Sequence, residues 1–164
     1  LMKSHVLWEI INENNTDKKY IIKVIKEPPN FMKINIELYQ ICCKNKKICF
    51  LPDRIIVLMS NEVKNFSYND LYLDAHMVTH DMRYTTDKFV PKDAEIVSWR
   101  WLHERVNGGP DRRYSYNTQI PTVRYGKIIL QTSNTFITNL EISNPNTSTE
   151  ILHAVSDMRN LSII

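Results

Sequence analysis

The chain has 164 residues, of which 43% are apolar and 24% charged, a balance typical of one globular domain with a sizeable core. Its 21 basic and 18 acidic side chains leave a formal net charge of +3, too small to indicate a nucleic-acid-binding protein by itself. No apolar run approaches the roughly 20 residues of a transmembrane helix, and Leu1–Ile11 lacks the pattern of a signal peptide, so we expect no membrane span. The expected location is cytoplasmic, for a whole protein or for a fragment of a larger one.

Residues 1–30 predict a hairpin or linker segment that packs on the domain. Tyr20–Ile25 is dense in β-branched residues and predicts a strand, which Pro28 and Pro29 end. The polar run Asn12–Asp17 separates this strand from an earlier mixed segment, and a hairpin is the simplest connection. We expect residues 31–164 to complete one folded unit.

The next segments predict consecutive strands joined by turns. Residues 31–38 alternate apolar and polar side chains at the period of two that a half-buried strand requires. Cys49–Met59 predicts the following strand, and Val63–Tyr68 pairs back with it as a hairpin. Asp53 and Arg54, after a proline, are interpreted as turn residues at a strand start.

The cysteines and the central histidines do not indicate a metal site. Cys42, Cys43 and Cys49 lack a Cys-x-x-Cys spacing, and their odd number in a cytoplasmic protein favours free thiols. His76 and His80 stand four residues apart in a segment that predicts a strand, where that separation spans about 13 Å. We therefore expect no metal and no cofactor.

A tryptophan-rich strand follows a polar connection over Asp81–Ala94. Val97, Trp99 and Trp101 alternate with Ser98, Arg100 and Leu102, and three large apolar groups on one strand face predict a core position. The alternative is an aromatic face that stacks the bases of single-stranded nucleic acid.

The segment after this strand carries the candidate binding residues. Gly108, Gly109 and Asp111, around Pro110, predict an ordered turn. The residues that follow are rich in planar hydrogen-bonding groups, which are favoured at interfaces. The candidate binding residues are Arg112, Arg113, Tyr114, Tyr116, Asn117 and Arg124. The structural alternative is that the arginines, including Arg54, brace the fold by pairing with Asp53 and Asp111.

The C-terminal segments predict two more strands and one helix. Ile128 and Leu130 continue the sheet, and the alternation across residues 136–142 is the clearest in the chain. Thr147–Glu150 fits a capping box, after which Ile151, Val155 and Met158 recur at helical spacing. The expected fold is therefore mainly β, a small antiparallel barrel or sandwich closed by a C-terminal helix. This element order resembles the pleckstrin-homology-like superfold.

Several motifs in a fixed order give a second resemblance. They are Pro29–Glu37, FLPDRIIVL at Phe50–Leu58, FSYNDL at Phe66–Leu71, GGPDRRY at Gly108–Tyr114 with Asn117–Pro121, and VRYGKIIL at Val123–Leu130 with Leu140–Asn144. Together they resemble an uncharacterised bacterial domain, over roughly residues 29–144, that is usually the C-terminal part of longer cytoplasmic proteins. The chain departs from that pattern at Tyr116, where asparagine is usual, and in its cysteines. The resemblance implies an accessory role and supplies no catalytic residues.

The functional expectation is a non-catalytic interaction module. No nucleophile elbow, phosphate loop or zinc-protease helix is present in the sequence. We expect binding of a protein partner, or of another domain of the same chain, through residues 108–117. The alternative is binding of nucleic acid or anionic lipid through a basic surface that comprises Lys44, Lys46, Lys47, Arg112, Arg113 and Arg124.

Overall fold

A computed structural model describes residues 6–29, 32–34, 37–85 and 89–161 of the protein. Within these residues the regular elements are ten strands, one 3₁₀ turn and one α-helix. The strands are β1 Leu7–Glu13, β2 Thr16–Ile25, β3 Tyr39–Cys42, β4 Lys46–Phe50, β5 Arg54–Met59, β6 Val63–Ser67, β7 Leu71–Asp81, β8 Glu95–Trp101, β9 Gln119–Thr132 and β10 Phe136–Ile142. The 3₁₀ turn is Tyr68–Asp70 and the helix, α1, is Asn146–Leu161.

All ten strands form one antiparallel sheet. Nine follow the order β6-β5-β4-β3-β2-β1-β10-β9-β7, and β8 pairs with β9 beside this path. The predicted fold class, mainly β with a C-terminal helix, is confirmed, and the sheet does not close into a barrel. The resemblance to the pleckstrin-homology-like superfold stays a prediction.

The sheet begins with a tight hairpin between β1 and β2. Asn14 and Asn15 have φ values of 52° and 60°, the left-handed conformation that a two-residue hairpin loop requires and that asparagine tolerates. The outer edge of β1 pairs with β10, from Leu7 opposite Ile142 to Glu9 opposite Leu140. The hairpin is thus an integral part of the sheet.

The main core lies between the curved sheet and α1. Apolar side chains from nearly every strand meet there, and Ile48, Ile55 and Ile142 are fully buried. From the helix, Val155 is buried, and Ile151 and Met158 pack against the cluster at its edge. The predicted amphipathic face of the helix is therefore confirmed. A second, smaller cluster on another part of the sheet holds Trp8, Ile10, Met82, Val123 and Tyr125.

The helix begins earlier than its predicted capping box. Asn144 Oδ1 accepts the backbone N–H of Asn146 at 3.0 Å, so the chain is capped before Thr147. Ser148 is buried and donates its hydroxyl to Pro145 O at 2.8 Å instead of capping. Within the described residues, no helix is long and apolar enough to cross a membrane.

Two strand predictions differ from the structure. The described residues 32–34 and 37–38 are not in a strand, and the next strand starts only at Tyr39; residues 31, 35 and 36 lie outside the described residues. The predicted strand Cys49–Met59 is two strands, because Leu51–Asp53 turns the chain so that β4 and β5 pair with each other. The predicted hairpin of β5 and β6 is confirmed, with Leu58 opposite Val63.

The prediction that Val97, Trp99 and Trp101 lie in the core is wrong. Val97 and Trp99 are 44% and 55% exposed, and Trp101 is half-buried. The register to β9 shifts between Ile96 and Ser98, so a bulge at Val97 breaks the alternation on which the prediction depended. Both faces of β8 are open to solvent over Glu95–Arg100.

Candidate functional site

The segment after β8 folds back on itself as an ordered small hairpin. Arg105 donates its backbone N–H to Gly109 O at 2.8 Å, and Gly108 donates to Arg105 O at 2.9 Å. Gly108 has a φ of 81°, a conformation that glycine adopts without strain. The ordered turn predicted for Gly108, Gly109 and Asp111 is therefore present, although only Gly108 uses a positive φ.

Asn117 holds this hairpin in place. Its side-chain Oδ1 accepts the backbone N–H of His103 at 2.9 Å, and its Nδ2 donates to His103 O at 2.8 Å and to Asp111 O at 3.4 Å. The side chain thus satisfies both backbone groups of His103 as a neighbouring strand would. Asn117 therefore stabilises the hairpin through both polar atoms of its side chain.

Two turns of the same sequence pattern, Asp-x-Arg-Tyr, meet beside the hairpin. In one, Asp111 accepts the backbone N–H of Arg113 at 3.1 Å and its Nε and Nη2 at 3.0 and 2.5 Å. In the other, Asp81 accepts the same three groups of Arg83 at 3.0, 3.0 and 2.6 Å. In both, the tyrosine N–H donates to the aspartate carbonyl, at 3.3 Å for Tyr114 and 3.1 Å for Tyr84.

The two Asp-x-Arg-Tyr turns line one shallow, open depression. Its other walls come from Arg100, Leu102, His103 and Glu104, at and after the end of β8. The rings of His103 and Tyr114 stack, with their centroids 3.7 Å apart and their planes 11° from parallel. The guanidinium of Arg83 lies 5.2 Å from the ring centre of Tyr84. Residues distant in sequence therefore form one aromatic and charged surface.

In this depression the carboxylates of Glu104 and Asp111 are less exposed than the guanidinium groups of Arg100 and Arg113. The side chain of Asp111 is 8% exposed, whereas that of its partner Arg113 is 83% exposed. Glu104 is 16% exposed and binds the half-exposed Arg100 at 3.0 Å and the buried Arg83 at 3.1 Å. The hydrogen bonds from the Arg113 side chain lower the pKa of Asp111 to about 2, so this carboxylate is ionised at neutral pH. The charged groups most exposed to solvent here are therefore the guanidinium groups of Arg100 and Arg113.

Strand β8 borders the depression and has a free edge. Among the described residues it pairs with β9 alone, and its first residue is tied to that strand by the 3.0 Å ion pair of Glu95 with Arg124. Ile96, Val97 and Trp99 are all more than 40% exposed. An apolar edge strand of this kind is a ready template for pairing with another chain.

The predicted binding residues are only partly brought together. Arg113 and Tyr114 line the depression, whereas Asn117 binds the backbone of His103, and Arg124 of β9 pairs with Glu95 of β8. Arg112 and Tyr116 are exposed on the same loop. Asp53 and Arg54 form a 2.7 Å ion pair at the start of β5, at the expected turn and away from these residues.

Sequence reasoning missed six of the nine residues that line the depression. These six are Arg83, Tyr84, Arg100, Leu102, His103 and Glu104. A signal for two of them was present, because Asp81-Met82-Arg83-Tyr84 repeats the pattern of Asp111-Arg112-Arg113-Tyr114. The antiparallel pairing of β7 with β9, which places Asp81 opposite Thr122, brings the two copies to the same end of the sheet.

A second polar cluster lies on the sheet around Glu141. This buried carboxylate accepts from Lys19 Nζ at 2.5 Å and lies 3.1 Å from His80 Nε2. Burial opposes its ionisation, but the hydrogen bonds from His80 and Lys19 outweigh burial and lower the pKa of Glu141. The Lys19 ammonium also lies 5.3 Å and 5.0 Å from the ring centres of Trp8 and Tyr125. All of these groups satisfy one another, so the cluster is a structural brace.

The cysteines and His76 take no part in a shared site. The three cysteines are free, and burial raises the pKa of Cys43 to about 12 and that of Cys49 to about 11, so both thiols are protonated at neutral pH. His76 lies 3.3 Å from Asp74 on β7. Within the part of the chain that the structure describes, no group of three or more His, Cys, Asp or Glu side chains is placed to hold a metal ion.

Comparisons with known proteins identified no similar protein. A scan against protein-family models, a search of curated proteins and a search of solved structures each returned no match.

Proposed function

We propose that the protein is a non-catalytic interaction module that binds an extended, acidic protein segment along β8 and the adjoining Asp-x-Arg-Tyr turns. The observation that carries this proposal is the exposure of β8 on both faces, with an apolar edge and one described neighbour. A segment in strand conformation would add to that edge, gain main-chain hydrogen bonds and cover Trp99. The sequence resemblance to an accessory domain of longer proteins is consistent with this role.

The charges around β8 support an acidic segment in particular. Arg100 and Arg113 expose 50% and 83% of their side chains, and Arg112 is exposed without a carboxylate within 4 Å among the described residues. The carboxylates of Asp111 and Glu104 lie beneath these arginines. An acidic segment therefore meets cations, and complementary charge speeds encounter and fixes the register of binding.

A basic surface for nucleic acid or anionic lipid is less well supported. The lysines expected to contribute are in part used internally, since Lys46 binds the buried Glu9 at 3.1 Å and Lys44 binds Glu13 at 2.9 Å. Strand β4, which carries Lys46 and Lys47, is separated from β9 by four strands in the sheet order, namely β3, β2, β1 and β10. Of these lysines, Lys47 is exposed and has no ion pair among the described residues, so one of the three is fully available to a partner.

The first prediction concerns Trp99. Peptides would be selected from a random phage-displayed library on the intact protein, and their dissociation constants measured by fluorescence anisotropy. We expect enriched peptides that combine acidic and apolar residues and protect the β8 amides from hydrogen exchange. Trp99→Ala should raise the Kd at least about tenfold, because truncation of a central aromatic contact commonly costs this much. Tyr72→Ala is the matched control, since Tyr72 is 57% exposed on β7 and Trp99 55% on β8.

Three results would contradict the proposal. One is protection of backbone amides from hydrogen exchange outside β8 when a peptide binds. Another is equal peptide affinity of the Trp99→Ala and Tyr72→Ala variants after both have passed a melting test. The third is tighter binding of a single-stranded oligonucleotide at the same residues, with affinity that falls steeply as salt rises, which would favour the nucleic-acid alternative.

A further inference from the structure

We infer that the depression between the two Asp-x-Arg-Tyr turns is a subsite for an anionic oxygen group, a phosphate or a carboxylate, carried by the segment bound along β8. The inference rests on the proposed function for the source of that group. The subsite itself is defined by Arg100, Arg113, His103, Tyr84 and Tyr114, all of which line the depression.

The donors of this subsite are held in position before any ligand arrives. Asp111 binds Arg113 through Nε and Nη2, which fixes the plane of the guanidinium, while Nη1 has no hydrogen-bond partner among the described residues. Arg100 is anchored through Nη2 to Glu104, and its side chain is half exposed. A guanidinium anchored from behind by a carboxylate keeps N–H groups for a second anion and loses less conformational entropy when it binds one.

The negative charges in the depression are already neutralised. Asp111 uses both carboxylate oxygens on Arg113, and Glu104 Oε2 accepts from Arg83 and lies 3.0 Å from Arg100. A cationic ligand would have to compete with these arginines for carboxylates that are at most 16% exposed. An anionic ligand instead meets the outer N–H groups, so the geometry favours an anion.

Aromatic rings flank these donors on two sides. Tyr114 lies against His103 at 3.7 Å, which holds the imidazole ring at the edge of the depression. Tyr84 is 82% exposed beside Arg83. The rings offer apolar contact to the carbon atoms that carry the anionic group.

The experiment is an NMR titration of the intact protein with phenyl phosphate and, separately, with benzoate, at constant ionic strength. The arginine Nε–Hε resonances and the His103 ring signals report on the subsite. We expect saturable shifts at Arg100, Arg113 and His103 with at least one probe. Arg113→Gln and Arg100→Gln should each raise the Kd at least tenfold, as expected for loss of a charge-assisted hydrogen bond. The control is Arg54→Gln, which alters an exposed Asp–Arg pair outside the depression and should leave the Kd unchanged.

The two probes distinguish a phosphate from a carboxylate as the bound anion. The titration also tests the subsite separately from the strand-pairing function. Binding of phenyl phosphate alone would identify a phosphate group, and stronger binding of benzoate a carboxylate. Shifts no larger than those caused by sodium chloride, or equal losses in the Arg54 variant, would overturn the subsite. That outcome is independent of the peptide binding tested with Trp99→Ala, because a peptide could still pair with the β8 edge. Binding of both small anions without any peptide binding would retain the subsite and reject the strand-pairing function.

Discussion

At the residue scale, the same four-residue pattern serves two different purposes. Asp81 and Asp111 both accept the backbone N–H of the residue two positions later, which is the turn that aspartate commonly makes. The arginines differ in their surroundings, since the side chain of Arg83 is 9% exposed and that of Arg113 is 83% exposed. Arg83 also donates to Trp101 O at 3.1 Å and so fixes the end of β8. One copy is therefore a brace, and the other presents its cation to solvent.

The pH dependence of stability provides a prediction for Asp111. Its pKa falls from an ordinary value of 3.8 to about 2 in the folded protein, mainly because of the hydrogen bonds from the Arg113 side chain. A lowered folded-state pKa stabilises the protein above the unfolded pKa, and this stabilisation is lost as the pH falls towards about 2. We therefore expect Asp111→Asn to be less stable than the parent at neutral pH and the difference to shrink below about pH 4, measured by urea unfolding across the acid range.

Asp157→Asn is the matched control for this prediction. Asp157 is exposed on α1 and has no ion pair among the described residues. Its replacement should leave the pH profile parallel to that of the parent. A constant stability difference between Asp111→Asn and the parent from neutral pH down to pH 2 would contradict the assigned ion pair.

At the element scale, β9 organises the molecule. It has 14 residues and pairs with β7 along one edge, while β10 and then β8 share the other edge. Val123, Tyr125, Ile128 and Leu130 from this one strand contribute to both apolar clusters. Because β8 pairs beyond the end of β10, it has no further described neighbour on its outer side. The position of β8 at this edge explains its exposure better than its composition does.

Gly126 of β9 gives a prediction about the packing of α1 on the sheet. A Cβ at this position would lie 2.9 Å from the Cβ of Ser148 in the first turn of the helix and 3.0 Å from O of Pro145, which precedes the helix. Since the backbone oxygen cannot move easily, Gly126→Ala should lower the free energy of unfolding by about 1–3 kcal/mol. Gly109→Ala meets no atom closer than 3.5 Å and should change it by less than about 0.5 kcal/mol. Urea unfolding of both variants tests this, and equal stability would show that the helix is not pressed against β9.

At the scale of the whole molecule, the helix holds the two ends of the sheet together. Strands β6 and β7 are the first and last in the sheet order and are joined by the 3₁₀ turn Tyr68–Asp70. Tyr68 is buried and donates its hydroxyl to Leu51 O at 2.7 Å, and burial raises its pKa to about 12. Arg159 of α1 donates Nε to Tyr68 O at 3.0 Å and Nη2 to Leu71 O. The C-terminal helix is thus bound to the turn that joins the first and last strands of the sheet order.

Arg159→Gln should loosen this corner. Loss of two hydrogen bonds from a charged donor to backbone carbonyls should cost about 1.5–3 kcal/mol of unfolding free energy. Hydrogen exchange should also accelerate in α1 and at residues 68–71 before it accelerates in β9. Arg112→Gln is the control, because Arg112 is exposed and has no hydrogen-bond partner among the described residues. Unchanged exchange in α1 would mean that apolar packing alone docks the helix.

The local elements could largely be predicted from the sequence. The β5–β6 hairpin, the strand β10 and the apolar face of α1 follow from side-chain periodicity over a few residues, although β10 is buried on both faces and does not alternate in burial. Local patterns failed where a single residue redirects the chain, as at Pro52, which splits β4 from β5, and at Val97, where a bulge interrupts β8. The turn at Gly108 was predictable because glycine and aspartate act within their own segment.

The sequence by itself thus determined a mainly β protein with a C-terminal helix and an ordered, arginine-rich loop. Only the tertiary structure decided which strand has exposed faces and which residues, distant in sequence, share a surface. The sequence predicts Trp99 in the core because alternation shows which side chains share one face of a strand. It does not show whether that face is buried, since burial requires a second layer from other segments. Arg83 and Arg113 lie 30 positions apart in the chain and come together because long-range pairing of β7 with β9 aligns their turns. Such pairing depends on contacts between segments, which no single stretch of sequence encodes.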